Sequence, residues 1–394
     1  MPRANGVVIV AGARTPVGAF LGGLLGMTPT ALGVVASRAA LERAGVGGEL
    51  VDAVVMGSVI PSAKDSFYMA RHVGLEVGVP VEAPALMVNR ACGSGIDAVV
   101  QAARQVMLGE SHVVLAGGAE NMSMTPYAMR GVRQGWKLAR QEVDDLLMTA
   151  LHDDKAGCSI GQTVEHLAGE QGISREEADA YTVWAQQRAA QAQAVGLFDE
   201  EIVPVQTPGR RGRLVAADEA LRPGTTIEGL AALPGLFARD GVVTAGNSCG
   251  LNDAAASVIV ASEAAAEAHG LKPLGRLVSW GTSGVAPLAM GLGPVRASAL
   301  ALEAAGLAIE DVDVIEINDS FAVQYLATER AMGLERERVN LAGGALALGH
   351  PLAATGTRLI LTALLALRRS GQQYGLCTLC IGGGQGIAAV VEAM

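Results

Sequence analysis

Residues 41–58 read LERAGVGGELVDAVVMGS, and residues 302–319 read LEAAGLAIEDVDVIEIND. Aligned without gaps, 302 against 41, the two stretches share Leu, Glu, Ala, Gly, Glu, Val and Asp in register. The same offset of 261 residues carries Gly95 onto Gly356. Self-similarity at one fixed offset is typical of a duplicated structural unit. The sequence therefore predicts a chain that contains two copies of one unit.

Both copies continue with the same order of elements. A helical apolar stretch, 97–108 in the first copy and 357–367 in the second, precedes a β-prone run that ends in glycines. These runs are VVLAGG at 113–118 and LCTLCIGGG at 376–384, and they are nearly continuous in apolar residues. Such runs are typical of strands covered by helices on both faces. We predict an α/β fold in which two sheets pack through shared helices, giving a five-layered αβαβα body.

The segment between the copies has a different composition, with Met-rich and Arg-containing loops, prolines and one amphipathic helix pattern. That pattern follows Ser174 and Glu177, which have the spacing of a capping box. Inserted segments of this length usually carry function. The predicted domains are an N-terminal half at 1–120, completed by about 250–270, a loop domain at 121–249 over the active site, and a C-terminal half at 271–394.

Composition excludes several classes of function. The 394 residues are 50% hydrophobic and 17% charged, as expected of a folded globular protein. A net charge of -10 argues against nucleic-acid binding, and no apolar run approaches the roughly 18 residues that membrane insertion requires. Five cysteines are too few for a disulfide framework, and no targeting segment is evident, so the cytoplasm is the expected location.

The stretch VNRACGSGIDAVV at 88–100 places Cys92 between a β-prone run and a helix opened by Gly93-Ser94-Gly95. A helix N-terminus presents free amides and a partial positive charge, so it favours the thiolate and is expected to lower the pKa of the thiol. Cys92 is therefore a candidate nucleophile. The alternative is that Cys92 is a small buried apolar residue.

His350, in GGALALGHPLAATGTR, is the candidate general base. At the offset of the repeat His350 corresponds to Asn89, and Ala353 to Cys92, so the two helix N-termini are expected to face one pocket. The other five histidines lie in polar or helical surroundings. A structural histidine that caps a turn is the alternative for His350.

Two further segments carry candidate residues. Cys380 ends the matching strand and, with Cys377, forms a Cys-x-x-Cys. Residues three apart on a strand point to opposite faces and no second pair is present, so a metal site is not expected. The glycines after Cys380 allow backbone amides to approach a ligand, and Asn318 follows a short buried strand in a polar turn. No dinucleotide or Walker fingerprint is present.

The motifs NRACGSG, NDSFA, GGALALGHPLAATG and CIGGGQGIA, in this order and spacing, resemble those of the thiolase family. AGARTPVG, VTAGN and GLNDAAA extend the resemblance over essentially the whole chain. It implies a five-layered thiolase fold of two duplicated halves, with a loop domain that binds coenzyme A. It also implies an acyl-CoA C-acyltransferase of fatty acid metabolism, either an acetyl-CoA acetyltransferase or a broader 3-ketoacyl-CoA thiolase. CoA and acyl-CoA are then the partners, with no cofactor, in a homodimer or homotetramer.

The resemblance assigns roles to individual residues. Cys92 is implied to accept the acyl group, His350 to activate it, and Cys380 to exchange a proton with the acetyl carbon or the departing thiol. Asn318, through a water, and His350 are implied to stabilise the enolate, while the amides of Cys92 and Gly382 hold the acyl oxyanion. The implied CoA and acyl contacts are Arg222, Phe237, Ala245, Cys249 and Phe321.

The chain departs from the family pattern at several positions. The usual NEAFA is NDSFA here, which introduces Asp319 and Ser320. Cys249 replaces a serine of NASGLND, and Ala353 replaces a glycine of GHPLGATG, where it is expected to add a methyl near the pocket floor. A His-Met pair of short-chain biosynthetic members is Ser159-Ile160.

These departures leave one alternative of a different class. A thiolase-like CoA-binding protein with little turnover would bind CoA without forming an acyl-enzyme. A decarboxylating ketoacyl synthase is disfavoured, because it would require a second histidine in place of Cys380.

Overall fold

The computed structural model describes residues 6–135, 142–210 and 212–394. The strands are β1 Val7–Arg14, β2 Gly18–Ala19, β3 Ala53–Gly57, β4 Ala85–Val88, β5 Val113–Asn121, β6 Tyr127–Met129, β7 Val143–Asp145, β8 His152–Asp153, β9 Cys158–Ser159, β10 Val205–Gln206, β11 Leu214–Val215, β12 Asn252–Ser262, β13 Gly275–Gly284, β14 Val314–Asn318, β15 Tyr374–Ile381 and β16 Gln385–Ala393. The helices are α1 Pro29–Ala44, α2 Met69–Glu76, α3 Ser94–Leu108, α4 Leu146–Ala150, α5 Ile160–Gln171, α6 Arg175–Ala194, α7 Ile227–Ala231, α8 Glu263–Ala268, α9 Gly293–Ala305, α10 Ala322–Met332, α11 Ala345–Leu348 and α12 Leu352–Ser370.

The internal repeat is a repeat of structure. At the offset of 261 residues, β3 falls on β14 with the same limits, and the first residue of β5 falls on the first residue of β15. Helix α3 likewise overlaps α12. In each copy the two strands pair in parallel, β3 with β5 and β14 with β15. The prediction of two copies of one α/β unit is confirmed.

The main sheet runs in the order β14-β15-β16-β13-β1-β12-β5-β3-β4, with β2 paired to β12. Its two halves meet where β1 pairs with β13, through Val8 with Arg276 and Ile9 with Gly275. The expectation that the two sheets are separate is therefore wrong, because the two residue pairs between β1 and β13 join them into one sheet. Gly275, at the start of β13, has no room for a side chain, because a Cβ there would lie 2.3 Å from the Glu392 carbonyl oxygen of β16.

Three apolar clusters fill the spaces between the layers. The central cluster holds α3 and α12 between the two halves of the sheet, through residues such as Ile96, Val99 and Leu364. A second cluster packs α1 and α2 against the outer face of the first half, and a third packs α9 and α10 against the second half. The five-layered αβαβα fold is thereby confirmed.

The two central helices cross at glycines related by the repeat. A Cβ on Gly95 would lie 2.6 Å from the Ala353 carbonyl oxygen, and a Cβ on Gly356 would lie 2.3 Å from the Ile96 nitrogen. The Thr357 hydroxyl donates to the Gly95 carbonyl at 3.1 Å across the same crossing. This contact brings the N-termini of α3 and α12, and the residues just before them, to one side of the molecule.

The segment between the halves contains α4 to α7 and short two-stranded ribbons, more regular structure than the single predicted helix. The predicted capping box of Ser174 and Glu177 is present at the start of α6. The division into domains at 1–120, 121–249 and 271–394 stays a prediction.

One buried arginine fixes this segment to the sheet. Arg14, at the end of β1, donates from Nε to Glu201 at 2.9 Å, and from Nη1 and Nη2 to the two oxygens of Asp218 at 2.7 and 2.9 Å. Thr362 of α12 donates to the other oxygen of Glu201 at 2.7 Å. Because all these groups are buried, loss of the Asp218 carboxylate would remove two charge-assisted hydrogen bonds from the Arg14 guanidinium, although Glu201 would still balance its charge.

Within the described ranges, no helix combines the length and the apolar character that crossing a membrane requires.

Candidate active site

A cleft of about 290 Å³ opens where the N-termini of α3 and α12 meet the segment between the halves. Its walls include four of the predicted catalytic residues, Cys92, His350, Cys380 and Gly382, and three of the predicted substrate contacts, Phe237, Cys249 and Phe321. The rest of the lining is mostly apolar, with Val59, Met122, Met148, Leu151, Ile160, Leu236, Leu251, Met290 and Leu352. The fifth predicted catalytic residue, Asn318, is fully buried directly behind Ser320 of the wall.

Cys92 lies on a tight turn between β4 and α3. Ala91 has a φ of 44°, a left-handed conformation that is uncommon for a residue with a side chain. Ser94 stabilises the turn, because its hydroxyl donates to the Ala91 carbonyl at 2.7 Å and accepts from the Arg90 amide at 2.9 Å. The turn directs the chain so that Cys92 lines the cleft.

The Cys92 thiol is protonated at neutral pH. Burial raises its pKa to about 11, although the amides of Gly382 and of Cys92 itself act in the opposite direction. The expectation that the helix N-terminus would lower the pKa of Cys92 is therefore wrong. The amides do lower it, but desolvation raises it by more. The nearby carboxyl of Glu120 raises the pKa further. Cys92 must therefore transfer its proton to a base when it attacks.

His350 is a neutral base that lines the same cleft as this thiol. Burial and then the charge of Arg358 lower the pKa of His350 to about 3. Its Nδ1 is 2.7 Å from the hydroxyl oxygen of buried Thr355. Its Nε2 is 3.5 Å from Nδ2 of Asn318, which is a donor. This pattern favours the tautomer with the proton on Nδ1 and the lone pair on Nε2, so that Nε2 is free to accept a proton.

Asn318, Ser320 and Cys380 form a second polar group. The Asn318 amide donates to the Ser320 hydroxyl at 2.7 Å, and this hydroxyl is 4.0 Å from the Cys380 sulfur. Burial, followed by the proximity of Cys92, raises the pKa of Cys380 to about 12, while the Ser320 hydroxyl lowers it. Oδ1 of Asn318 is buried and has no hydrogen-bond partner among the described residues.

The loop that carries Asn318 and Ser320 is fixed at both faces. Asp319 accepts from the Tyr181 hydroxyl at 2.7 Å and from the Leu346 amide at 3.3 Å. On the other side of the loop, the Ser320 carbonyl accepts from the Cys249 amide at 2.8 Å. Asp319 therefore anchors the loop to α6 and to α11, and burial raises the pKa of its carboxyl to about 6.

The predicted substrate contacts divide into two sets. Phe237, Cys249 and Phe321 line the cleft, and the Phe237 ring lies on Gly161, where a Cβ would be 2.1 Å from its Cζ. Arg222 and Ala245 are exposed and do not line the cleft. The Arg222 amide donates to Gln186 of α6 at 2.8 Å.

The departure at position 353 has a different location from the one expected. Ala353 is fully buried at the crossing of α3 and α12 and is not part of the described cleft wall. Its methyl group therefore does not form the pocket floor.

Two residues of the site escaped the sequence analysis. Glu120 is buried and accepts from the amides of Val59 and Ile60, each at 3.0 Å, and from that of Ala353 at 3.4 Å, and burial raises its pKa to about 7. A carboxylate at the end of the apolar run VVLAGGAEN was an available signal. Thr355 gave no such signal, because only the fold of the GHP turn brings it to His350.

Before any comparison, the cleft already defines a class of chemistry. It holds a thiol, a neutral imidazole that can accept a proton, a second thiol and two amides directed at the first sulfur. These are the groups that acyl transfer through a thioester enzyme intermediate requires.

Comparison with known proteins agrees with this class. The family model described as thiolase, N-terminal domain, matches residues 7–264, and that described as thiolase, C-terminal domain, matches residues 271–393. The chain is 45% identical to the mitochondrial 3-ketoacyl-CoA thiolase of Bos taurus over 394 residues, covering 100% of this chain and 99% of the relative. It is 44% identical to the acetyl-CoA acetyltransferase of Cupriavidus necator over 389 residues, covering 98% and 99%.

The structural comparison gives the same answer. The crystal structure of human mitochondrial 3-ketoacyl-CoA thiolase in complex with CoA superposes with a TM-score of 0.98 at 44% identity, covering 100% of this chain and 99% of that one. The chain belongs to the thiolase family, and it is an acyltransferase.

Proposed function

We propose that this thiolase cleaves 3-ketoacyl-CoA with CoA to acetyl-CoA and a shortened acyl-CoA, and runs the reverse Claisen condensation, through an acyl-enzyme on Cys92. The observation that carries the proposal is the joint presence of Cys92, His350 and Cys380 in one apolar cleft. The relatives are named as enzymes, so a CoA-binding protein with little turnover is not favoured.

The first half of the reaction transfers an acyl group to the enzyme. The Cys92 thiol gives its proton to Nε2 of His350 as its sulfur attacks the 3-keto carbon. The oxyanion is held by the amides of Cys92 and Gly382, which already point at the sulfur. The bond between C2 and C3 then breaks, and its electron pair forms the enolate of acetyl-CoA. Cys380 protonates C2, which releases acetyl-CoA and leaves a Cys380 thiolate.

The second half regenerates the enzyme. The thiol of an incoming CoA gives its proton to the Cys380 thiolate, and the CoA sulfur attacks the acyl carbon on Cys92. The Cys92 sulfur leaves with the electron pair and regains its proton from His350. The Cys92 proton returns from His350, and the Cys380 proton, which leaves on acetyl-CoA, is replaced by the proton of the CoA thiol, so that the cycle balances. The enolate oxygen is assigned to His350 and, through a water, to Asn318.

The apolar wall of the cleft supports acyl groups longer than acetyl as substrates. Met148, Leu151, Ile160 and Leu236 line it, and Ser159-Ile160 takes the place of the His-Met pair of short-chain members. The test is the initial rate of CoA-dependent cleavage for acetoacetyl-CoA and for 3-ketoacyl-CoAs of six to twelve carbons. Faster turnover of the longer substrates supports the proposal, and turnover of acetoacetyl-CoA alone contradicts it.

The acyl-enzyme has its own test. Intact-mass analysis after incubation with an acyl-CoA should show one added acyl group, and Cys92→Ser should remove it. Cys380→Ser is the matched control, because it should spare acylation. An acyl group that persists in Cys92→Ser would contradict the choice of nucleophile.

Three further expectations stay proposals. CoA acts as a co-substrate without a resident cofactor, so that dialysis against a chelator should leave the rate unchanged. A reducing compartment such as the cytoplasm suits five free cysteines, although five of the relatives are named as mitochondrial, and cell fractionation distinguishes the two. A homodimer or homotetramer is supported by exposed Phe67 and Tyr68 and the half-exposed edge strand β4, and light scattering after gel filtration measures it.

A further inference from the structure

Ser320 lies between two residues that the proposed mechanism uses. Its hydroxyl oxygen is 2.7 Å from Nδ2 of Asn318 and 4.0 Å from the sulfur of Cys380. The residue lines the cleft and is only 6% exposed. In the thiolase pattern NEAFA the same position is alanine, so the hydroxyl is a feature of this chain.

The hydrogen-bonding capacity of Asn318 sets the direction of its bond to Ser320. Nδ2 of Asn318 carries only hydrogens, so it must donate to the Ser320 oxygen. The same nitrogen of Asn318 also lies 3.5 Å from Nε2 of His350. Ser320 keeps its own proton for another acceptor, and its hydroxyl also contacts the Cys380 sulfur.

The backbone fixes Ser320 in this place. The Ser320 carbonyl accepts from the Cys249 amide at 2.8 Å. The Ala322 amide, two residues further on, donates to the Asn247 carbonyl at 3.0 Å. On the other side of Ser320, Asp319 accepts a hydrogen bond from the Tyr181 hydroxyl. The hydroxyl is therefore held beside the sulfur before any substrate binds. Preorganised donors of this kind stabilise charge that develops during a reaction.

We propose that Ser320 is a further catalytic residue, whose hydroxyl, oriented by Asn318, donates a hydrogen bond to the Cys380 sulfur when that sulfur is a thiolate. The proposal rests on the proposed function, in which Cys380 becomes a thiolate after it protonates the acetyl carbon. No proton is transferred to or from Ser320. The hydrogen bond is neutral while Cys380 is a thiol and becomes charge-assisted when the S–H proton leaves.

The physical effect acts on a step that burial makes difficult. Burial raises the pKa of the Cys380 thiol to about 12, so the thiolate is costly in this cleft. A hydrogen bond from a hydroxyl to a charged acceptor offsets part of the desolvation, and its loss is expected to change a rate by roughly tenfold or more. Serine in place of alanine would thus make removal of an α-proton easier.

The test compares Ser320→Ala with Ser320→Thr, which keeps the hydroxyl. The measured quantity is the exchange of the acetyl α-protons of acetyl-CoA in deuterated water as a function of pH, because this exchange requires the Cys380 thiolate. In Ser320→Ala the rate should fall roughly tenfold and its rise with pH should move about one unit higher. In Ser320→Thr the rise should stay at the wild-type pH.

A second measurement separates this role from a structural one. Alkylation of Cys92 by iodoacetamide, located by peptide mapping, forms no Cys380 thiolate and should proceed in Ser320→Ala as in the wild type. An unshifted pH profile in Ser320→Ala overturns the proposal, even if the rate falls. A Ser320→Thr profile that coincides with that of Ser320→Ala also overturns it. Failure of the proposed function would look different, since the wild type itself would show neither acylation nor exchange.

Discussion

The hydrogen bond between His350 and Thr355 offers a sharp test of how this site works. Thr355→Val replaces the hydroxyl by a methyl group of nearly the same shape, so the buried volume is kept. It leaves Nδ1 of His350, now 2.7 Å from a hydroxyl oxygen, without a partner inside the protein. Thr355 is 1% exposed and His350 is 5% exposed, so water does not readily replace the lost bond.

The size of the effect follows from that burial. A buried donor left unsatisfied costs about 1–3 kcal/mol, which corresponds to roughly 5-fold to 150-fold in a rate if the whole cost falls on the active tautomer. Without Thr355, the proton of His350 is no longer held on Nδ1, and the tautomer with the proton on Nε2 cannot accept the Cys92 proton. The rate of Cys92 acylation should fall by that factor, while the midpoint of unfolding in urea should move much less.

The assay is rapid mixing with an acyl-CoA followed by intact-mass analysis of the acyl-enzyme. Thr355→Ser is the matched control, because serine keeps the hydroxyl and should retain most of the rate. Acylation in Thr355→Val at the wild-type rate would refute the assignment of Thr355 as the residue that orients His350. Equal loss in the valine and serine variants would point to packing instead of the hydrogen bond.

Three other predictions concern charge and packing. Burial and Arg358 hold the pKa of His350 at about 3, so this base stays neutral when the pH is lowered from 7 to 5. The rate of Cys92 acylation should therefore show no loss from protonation of His350 in this range, and a fall centred near pH 6.5 would contradict this. Asp218→Asn should lower the free energy of unfolding by about 3 kcal/mol, since the amide that replaces the carboxylate cannot accept both hydrogen bonds of the buried Arg14 guanidinium, whereas Glu200→Gln at the surface should cost under about 1 kcal/mol; equal urea midpoints would refute the anchoring role. Gly356→Ala should destabilise the fold by about 1–3 kcal/mol, because the added Cβ would meet the Ile96 nitrogen. Gly169→Ala, where the added Cβ has open space, should be neutral or stabilise the fold by up to about 1 kcal/mol, and thermal melts of both variants measure the difference.

Much of the fold was readable from local patterns. The repeat at 41–58 and 302–319 predicted two copies of one unit, because a duplicated unit keeps its order of elements and its glycine crossings. Apolar runs without alternation predicted strands covered on both faces. The join between β1 and β13 was not readable, since Val8 and Ile9 pair with residues more than 260 positions away and carry no local mark of it.

The candidate site was readable in its members and not in its energetics. Cys92 and Cys380 stand out because each follows or ends a strand beside glycines, where backbone amides and side chains reach a pocket. His350 stands out beside Gly349 and Pro351, although this turn joins the helices α11 and α12 and does not follow a strand. The pKa of Cys92 ran against the prediction from its helix N-terminus. That prediction counted the local amides, while the larger contribution, desolvation, comes from residues distant in sequence that close over the thiol.

The sequence by itself therefore determined the repeat, the layered α/β class and the residues that carry chemistry, because these depend on spacing along the chain. Only the tertiary structure decided the tautomer of His350, the protonation of the thiols and the contact of Ser320 with Cys380. Those properties depend on burial and on hydrogen bonds between distant segments, and both arise only when the two halves and the loop domain close around one cleft.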